Sequence, residues 1–438
     1  MTKFIDVLFV GAGPANLSTL SYLDEIGALS DDKKIMLVER RSNSSWHPGL
    51  ALPTSNLQVS LLKDLAFLRN PSSKYTFFNY LYEIGVLHHF VHLNTYYPSR
   101  NLFSDYLLWV GEKLKNYISF DHEVLGLKKV VDATTDKIML EVAISNGQGE
   151  VEKILTNQLI LSQGHEPFVP PKLRIDKAPI CHSNHLLEYV DLKCLNSESH
   201  IGVVGRGQSA GEIVRFLLEE TEVGKVSVIS RDFTFKGTDT NPFVNDIYTF
   251  TQAKGFYQLS DDERLNKLQG LRNTNFSTVT EDVLSAIYKQ IFNDRIDKKE
   301  RLLLLPYKEV KQVETDDKGV TVILKDIFGQ VPDKNVSLDF LICATGFENT
   351  RHASLLAQIN PIVKRNEIVV NECFMVQLKD KIDASIFIMN HAAGQHGPTE
   401  HTLAGISERG KVVGDAIMKN MSNSFNVKPI TRQNSFIA

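Results

Sequence analysis

Two glycine-rich turns carry the clearest chemical signal in the sequence. Gly11 and Gly13 follow a short apolar run and precede a helical pattern, and Gly205 and Gly207 repeat this arrangement. Such a turn suits a pyrophosphate, because glycine lets the backbone approach the ligand and the helix start offers free N–H groups. Asn16 stands where a third glycine is common, so the first helix is expected to pack less closely on its strand. The two turns therefore predict two bound dinucleotides.

The residues after the next strand of each unit indicate which nucleotide each turn takes. Glu39 lies 26 residues beyond the second glycine of the first turn, where a carboxylate typically binds the ribose hydroxyls. Ser230 and Arg231 occupy the corresponding place after the second turn. A cation there suits the 2′-phosphate of NADP(H), which an acid would repel. Gln208 and Ser209, at the second helix start, are further predicted contacts of that nucleotide.

These turns require strands and helices in alternation, and the apolar patterns supply them. Residues 5–23 and 199–219 each predict a strand, a turn and a helix, and 128–164 alternates like antiparallel strands. The stretch 238–300 is polar and rich in helix formers. We therefore predict an α/β fold with two Rossmann-like dinucleotide-binding domains and a small, mostly helical substrate region.

A late apolar strand predicts how the domains are connected. Ile342–Phe347 resembles the return strand that closes the FAD domain of flavoproteins, and Thr345 and Gly346 are predicted cofactor contacts. The FAD domain would then be discontinuous, with the NADPH domain inserted so that NADPH delivers hydride to the flavin. The predicted division is 1–165 and 335–438 for FAD, 197–237 and 301–334 for NADPH, and 238–300 for the substrate.

Composition narrows the function classes. The chain has 438 residues, a net charge of −4 and 23% charged residues, which indicate two or three folded domains and no nucleic-acid partner. No apolar run resembles a signal peptide or reaches the roughly 18 residues of a membrane-spanning helix, so a cytoplasmic location and no membrane partner are expected. The four cysteines form no C-x-x-C pair. Neither a redox disulfide nor a metal site is predicted.

Several further segments identify a family when they are taken together. The sequence LQVSLLKDLAFLRNPSSKYTFFNYL at 57–81 is the longest of them. The others, in chain order, are SWHPGL (45–50), PSRNLFSDYL (98–107), VVGRGQSAGEI (203–213), NPFVNDIY (241–248), NTNFS (273–277) and ICATGF (342–347). In type and order these resemble the flavin-dependent N-hydroxylating monooxygenases, the ornithine and lysine N-monooxygenases of siderophore biosynthesis.

The resemblance implies a reaction and its partners. NADPH reduces FAD, O₂ adds to give a C4a-hydroperoxyflavin, and a small primary amine takes one oxygen atom to become a hydroxylamine. The amine must be neutral to act as a nucleophile, which calls for a partly desolvated pocket that also keeps water from the flavin. The resemblance further implies a homodimer or homotetramer.

The resemblance also implies roles for single residues. Trp46 and His47 match a flavin-binding pair, Gln58 matches a glutamine near the flavin ring, and Arg100 is expected to reach the nicotinamide or the flavin. Lys63 matches a lysine that pairs with the substrate α-carboxylate.

Two asparagines complete the implied substrate site. Asn245 is expected to hold the amino-acid end of the substrate and to touch NADP, and Asn275 is a second substrate contact. The alternatives are structural: a packed His47, a surface charge at Lys63, and loop caps at the two asparagines.

The C-terminal part departs from the family pattern. His396 and Gly397 match, but Ala404 stands where a serine is expected, and Glu400 and His401 are unusual. An added acid suits a substrate with an extra cation and no carboxylate, so we predict a decarboxylated amine: putrescine, cadaverine or histamine. The lysine of the 57–81 segment argues for the alternative, an L-ornithine N5- or L-lysine N6-monooxygenase.

Two other functions compete with N-hydroxylation. APICHSNHLLEY at 178–189 resembles the linker motif of Baeyer–Villiger and thioether monooxygenases, although the surrounding Phe-x-Gly pattern is missing. A non-catalytic flavin-binding redox sensor would keep the nucleotide turns without turnover.

Overall fold

The computed structural model describes residues 3–30, 33–133, 135–271, 274, 277–317 and 319–425. The strands within them are β1 (Lys3–Val10), β2 (Ile35–Val38), β3 (Ile118–Ser119), β4 (Glu123–Val131), β5 (Ile138–Ser145), β6 (Val151–Leu161), β7 (Glu166–Pro167), β8 (Ile180–His182), β9 (His200–Val204), β10 (Lys225–Ile229), β11 (Leu302–Leu305), β12 (Lys308–Asp316), β13 (Gly319–Asp326), β14 (Lys334–Leu338), β15 (Phe340–Cys343), β16 (Phe347–Glu348), β17 (Val363–Lys364), β18 (Glu367–Ile368) and β19 (Ser385–Ile388).

The α-helices within the same residues are α1 (Pro14–Glu25), α2 (Phe77–Glu83), α3 (Leu87–His92), α4 (Arg100–Lys113), α5 (Leu186–Tyr189), α6 (Gln208–Glu220), α7 (Pro242–Asp246), α8 (Phe250–Tyr257), α9 (Asp261–Gly270), α10 (Glu281–Asp297), α11 (Arg351–Leu356), α12 (Ala393–His396) and α13 (Ile406–Phe425). Short 3₁₀ helices lie at Pro48–Leu50, Lys115–Tyr117, Pro171–Leu173, Ser183–His185, Leu192–Cys194, Ala357–Ile359, Pro398–His401 and Leu403–Gly405.

The first sheet surrounds the first glycine turn. Its strand order is β3-β2-β1-β6-β5-β4, and β19 also pairs with β6. The strands β1, β2, β3, β6 and β19 run parallel, whereas β4 and β5 add an antiparallel edge. Every residue of β2 is buried, as expected for a parallel strand covered on both faces. The strand, turn and helix predicted at 5–23 and the antiparallel strands predicted at 128–164 are confirmed.

The second sheet surrounds the second glycine turn. Its order is β11-β10-β9-β15-β8, and all of its pairings are parallel. The helix α6 follows β9 directly and buries one apolar face, including Ile213 and Leu217, against the sheet. A separate antiparallel sheet, β12-β13-β14, packs beside it. The α/β class with two Rossmann-like units is confirmed.

The prediction that Ile342–Phe347 closes the first sheet is wrong. Its strand, β15, pairs with β9 and β8 of the second sheet, and β19 completes the first sheet on β6. A short apolar run fits the interior of any parallel sheet, so its own residues do not specify its partner. Residue 335, the predicted start of the second FAD segment, lies in β14, which pairs with β13 of the separate antiparallel sheet and is followed directly by β15 of the second sheet.

A small two-stranded sheet joins the two units. β7, which leaves the first sheet, pairs antiparallel with β16, which leaves the second: Phe347 lies opposite Pro167 and Glu348 opposite Glu166. The chain therefore passes between the units twice at one place. Within the described residues, no helix has the length and apolarity needed to cross a membrane.

The last helix covers the first glycine-turn helix closely. A side-chain carbon at Gly410 would lie 2.7 Å from Ser18 Oγ, and one at Gly414 would lie 2.5 Å from the Tyr22 ring. The Ser18 hydroxyl contacts the carbonyl oxygens of Leu65 at 2.6 Å and Ile406 at 3.2 Å. This packing brings α1, the 57–81 segment and the start of α13 to one place.

Candidate active site

The first glycine turn leaves room for a ligand on its open side. Gly11 has φ +95°, and a side chain there would meet Ser162 O at 2.5 Å. At Gly13, by contrast, an added carbon would have no neighbour closer than Ser162 O at 4.0 Å. Gly13 is the N-cap of α1 and provides no side-chain cap. The residues thus fit a pyrophosphate seated on the helix start.

Asn16 takes the place of the third glycine by making useful contacts. Its side-chain amide donates to Val10 O at 2.9 Å and to Gly11 O at 2.8 Å, and it is fully buried. The side chain therefore fixes the turn to the end of β1. Glu39 also supports the turn, because its Oε2 accepts from Ala12 N at 2.7 Å. That position beside the turn is where a ribose carboxylate is expected.

The second glycine turn has the same construction. Gly205 has φ +134°, and a side chain there would meet Ala344 O at 2.3 Å. Gly207 is the N-cap of α6. The Gln208 amide bridges two helices: it donates to Glu212 Oε1 at 2.9 Å and accepts from Thr280 N at 2.8 Å. Protein groups thus already engage Gln208, and contacts of Gln208 and Ser209 with a nucleotide stay predictions.

Ser230 and Arg231 lie at the carboxyl end of β10, beside this turn. Ser230 is buried, and its hydroxyl accepts from Asp232 N at 3.1 Å. Arg231 is exposed, and among the described residues no acceptor lies within hydrogen-bond distance of its guanidinium. An exposed guanidinium at this edge of the sheet is accessible to a phosphate. The contact of Arg231 with the 2′-phosphate of NADP(H) stays a prediction.

Trp46 and His47 lie between the two units. Trp46 N donates to Ser104 Oγ at 3.1 Å, and its ring packs edge-on against Phe103. His47 adopts φ 50° and donates from Nδ1 to Asn184 Oδ1 at 2.8 Å. Burial lowers the pKa of His47 to about 4, so its ring is neutral near pH 7. The pair is thereby fixed in position at the junction.

The 57–81 segment is held by a buried carboxylate that sequence analysis missed. Asp64 is 1% exposed and accepts from the backbone N–H of Ala66, Phe67 and Phe77 at 2.6 to 2.8 Å. Burial raises the pKa of Asp64 to about 6. An aspartate followed by apolar residues offers no sequence signal of this kind, since its partners include a residue 13 positions away.

Lys63 precedes this anchor and is half-buried. Burial lowers the pKa of its ammonium, and no acceptor among the described residues lies within hydrogen-bond distance of it. An ammonium without a counter-ion in such a place favours binding of an anion. Gln58, in the same segment, is exposed to solvent. Its place near the flavin ring stays a prediction.

Arg100 links the two units through a buried ion pair. Its Nη2 lies 2.8 Å from Glu212 Oε2, and its Nη1 donates to Leu50 O at 3.3 Å. Glu212 is 1% exposed and lies on α6, directly after the second glycine turn. The α4 start and the α6 start are therefore tied together. Contact of Arg100 with the nicotinamide or the flavin stays a prediction.

Of the two asparagines predicted to bind substrate, one lies within the described residues. Asn245 lies on α7, is exposed, and donates from its amide to Thr240 O at 2.9 Å. Asn275 lies outside the described residues. The helical region packs against the C-terminal segment, where the Tyr257 ring lies 4.8 Å from that of His396. Substrate roles for both asparagines stay predictions.

The interpretation of Glu400 as an added acid in the substrate site is wrong. Glu400 is 1% exposed and forms an ion pair with Arg409, itself 2% exposed. Its Oε2 also accepts from the backbone N–H groups of His391 and Ala392, each at 3.1 Å. The carboxylate is thus fully used inside the protein and cannot meet a substrate cation. Ala404 is also buried, and its N–H donates to Thr402 Oγ1 at 3.2 Å.

Thr345 and Gly346 lie at the exit from β15 rather than in the first sheet. Thr345 Oγ1 donates to Phe168 O, and Gly346 O accepts from Phe168 N at 2.9 Å and lies 2.8 Å from His182 Nε2. Both residues therefore hold the connection between the units. The neighbouring thiols of Cys181 and Cys343 are free, and burial raises the pKa of each to about 12. Neither thiol is a thiolate nucleophile near neutral pH.

Comparison with known proteins places this geometry in a family. The family model described as L-lysine 6-monooxygenase/L-ornithine 5-monooxygenase matches residues 3–349. An L-ornithine N(5)-monooxygenase of Burkholderia cepacia is 30% identical over 361 residues, which cover 81% of each chain. One from Ajellomyces capsulatus is 29% identical over 432 residues, covering 94% of this chain and 90% of the relative.

A solved structure supports the same assignment. The Kutzneria sp. 744 ornithine N-hydroxylase complex KtzI-FADred-NADP+-L-orn superposes with a TM-score of 0.88 at 27% identity, over 95% of this chain and 100% of that one. With the two nucleotide turns, the half-buried lysine and a family match over most of its length, this chain belongs to the L-lysine 6-monooxygenase/L-ornithine 5-monooxygenase family.

Proposed function

We propose that this protein is an FAD- and NADPH-dependent monooxygenase that hydroxylates the side-chain amine of L-ornithine, for siderophore biosynthesis. In the net reaction NADPH supplies two electrons, one atom of O₂ joins the amine nitrogen, and the other atom leaves as water. The flavin, when bound, supplies the oxygen chemistry. The chain's residues supply the two nucleotide seats, the substrate contacts and the exclusion of water.

The observation that carries the choice of substrate is the charge balance around the site. Lys63 is a half-buried ammonium without a partner among the described residues. Glu400, the acid that favoured a decarboxylated amine, is neutralised by Arg409 in the interior. A substrate that brings a carboxylate therefore satisfies the site, whereas putrescine or cadaverine would place a second cation near Lys63. The relatives named above act on L-ornithine, in agreement with this balance.

The cofactor seats follow from the two turns. FAD would lie with its pyrophosphate on the helix start after Gly13 and its adenosine ribose near Glu39. NADPH would lie on the turn from Gly205 to Gly207. Arg100 and Glu212 tie the start of α4 in the first unit to α6 after the second turn, which would hold the two cofactors in a defined relation.

The test is hydroxylamine formation by purified, flavin-loaded protein with L-ornithine, L-lysine, putrescine, cadaverine and histamine. We expect L-ornithine to give the highest kcat/KM, with NADPH consumption matched by hydroxylamine. A preference for any of the three decarboxylated amines would contradict the substrate assignment. NADPH oxidation that yields only hydrogen peroxide with every amine would contradict the hydroxylase assignment.

A further inference from the structure

The two glycine turns of this chain are built alike but differ in the residue between their glycines. The register aligns them, because Val10 lies opposite Val38 in the first sheet and Val204 opposite Ile229 in the second. Ala12 is thus the counterpart of Arg206. A cationic side chain at the centre of a phosphate-binding turn is a feature that the proposed function has not used.

The acidic residues beside the two turns differ in a related way. In the first turn, Glu39 directly follows the strand and accepts from the backbone N–H of Ala12 at 2.7 Å. In the second turn the counterpart of Glu39 is Ser230, and the acid, Asp232, comes two residues later. Asp232 reaches the side chain of the middle residue instead: Arg206 Nη2 lies 2.5 Å from its Oδ2.

This ion pair is accessible from solvent at the nucleotide-binding edge of the sheet. The side chain of Arg206 is 24% exposed and that of Asp232 is 56% exposed. A second contact, from Arg206 Nη1 to Ser277 O at 3.0 Å, holds the guanidinium over the turn. Ligands of parallel sheets bind at the carboxyl ends of the strands, which is where β9 and β10 deliver both residues.

Exposed aromatic rings flank the same edge. Phe233 follows Asp232 and is 64% exposed, and its ring centroid lies 5.9 Å from that of Tyr307. Phe328 is 61% exposed, and its ring centroid lies 5.0 Å from that of Tyr307. Solvent-facing rings of this size next to a charged pair provide a face for a purine base.

We propose that Asp232, through its ion pair with Arg206, sets the choice between NADP(H) and NAD(H). A 2′-phosphate takes the Arg206 guanidinium from Asp232, whereas an unphosphorylated ribose leaves the pair intact and donates its hydroxyls to the carboxylate. Asp232 thus opposes the 2′-phosphate and supports the ribose diol. This inference rests on the proposed function only in assigning a nicotinamide dinucleotide to the second turn.

The test measures binding rather than turnover, with adenosine 2′,5′-bisphosphate and adenosine 5′-monophosphate as probes. Both lack the nicotinamide, so neither can reduce the flavin, and isothermal titration gives their Kd values directly. Asp232→Asn is expected to lower the Kd of the bisphosphate by about three- to tenfold, because an exposed ion pair and a like-charge contact are lost. The same variant is expected to raise the Kd of the monophosphate by about twofold or more, since the ribose hydroxyls lose a charged acceptor.

Two further variants make the result specific. Arg206→Ser is expected to raise the Kd of the bisphosphate by about tenfold or more, while the Kd of the monophosphate stays within about twofold of the wild-type value. Glu300→Gln is the matched control, because Glu300 is an exposed carboxylate, 63% exposed, whose partner Lys225 lies at the opposite end of β10. This control is expected to change neither Kd.

The inference fails if Asp232→Asn shifts both probes in the same direction or leaves the ratio of their Kd values unchanged. It also fails if Arg206→Ser binds the bisphosphate as tightly as the wild type does, a result that stands even if the aspartate variant is unstable. If the wild-type protein is yellow and forms hydroxylamine, but Asp232→Asn leaves the ratio of the two Kd values unchanged, this inference alone is overturned. A colourless protein whose Kd ratio shifts as expected would overturn the proposed function alone.

Discussion

Replacing Lys63 with alanine separates substrates by whether they carry a carboxylate. The Lys63 ammonium is half-buried, and no partner among the described residues offsets its desolvation. A substrate carboxylate that contacts it would form a charge-assisted hydrogen bond contributing about 1.5–3 kcal/mol. Loss of that contact corresponds to about 10- to 150-fold in kcat/KM for L-ornithine. Because the contact is present before and during the chemical step, the loss is expected mainly in KM.

The assay compares L-ornithine with putrescine, which differs by the absence of the carboxylate. Lys63→Ala is expected to leave the kcat/KM of putrescine unchanged or raised, because a repelling charge has been removed. Reduction of the flavin by NADPH without amine is expected to proceed at the wild-type rate. Lys74→Ala is the control, since Lys74 belongs to the same segment and is 62% exposed, paired with Asp24.

Two results would refute this reasoning. An equal loss of kcat/KM with L-ornithine and putrescine would mean that Lys63 shapes the site without meeting a carboxylate. A slower flavin reduction would mean that the residue acts on the cofactors rather than on the substrate.

The remaining predictions address the nucleotide seats, the C-terminal ion pair and pH. Gly13→Val is expected to yield colourless protein, because its side chain would occupy the open side of the first turn, and absorbance near the flavin band checks this. Arg231→Ala is expected to raise the KM of NADPH by about tenfold with a smaller effect on NADH; an unchanged NADPH/NADH ratio would exclude a phosphate contact. Glu400→Gln is expected to lower the free energy of unfolding by about 3–5 kcal/mol, because it leaves the Arg409 guanidinium buried without a counter-charge, and denaturant titration measures this loss. Burial lowers the pKa of each of four histidines to about 4, so between pH 6.5 and 4 the unfolded chain binds more protons than the native one. The free energy of unfolding is therefore expected to fall as the pH is lowered through this range. Thermal unfolding measures this, and a melting temperature that does not change between about pH 6.5 and 4 would mean that these rings titrate normally. These histidines are His47, His165, His182 and His352.

Features encoded by neighbouring residues were predictable from the sequence. The turn around Gly11 and Gly13 needs only a strand, two glycines and a helix start, and all of them lie within one continuous stretch. Glu39 follows because a strand of fixed length returns it to the turn. The α/β class and both nucleotide-binding units were therefore readable, since local geometry and short connections determine them.

Features that depend on distant partners were decided by the tertiary structure. The strand Phe340–Cys343 is apolar and could pair in either sheet, and its pairing with β9 and β8 assigns it to the second. Glu400 looked like a site acid until the fold placed Arg409 against it. Asp64, with a backbone partner at Phe77, shows the same limit.

The physical reason is that burial and charge pairing are not properties of a single residue. An acid buried beside a guanidinium and an acid facing a substrate have the same letter in the sequence, but the first is neutralised and the second is free. The sequence alone was enough to predict two dinucleotides and the two glycine-rich turns proposed to seat them. Only the packed chain decided which charges lack a partner inside the protein, and among the described residues the half-buried ammonium of Lys63 is one that does.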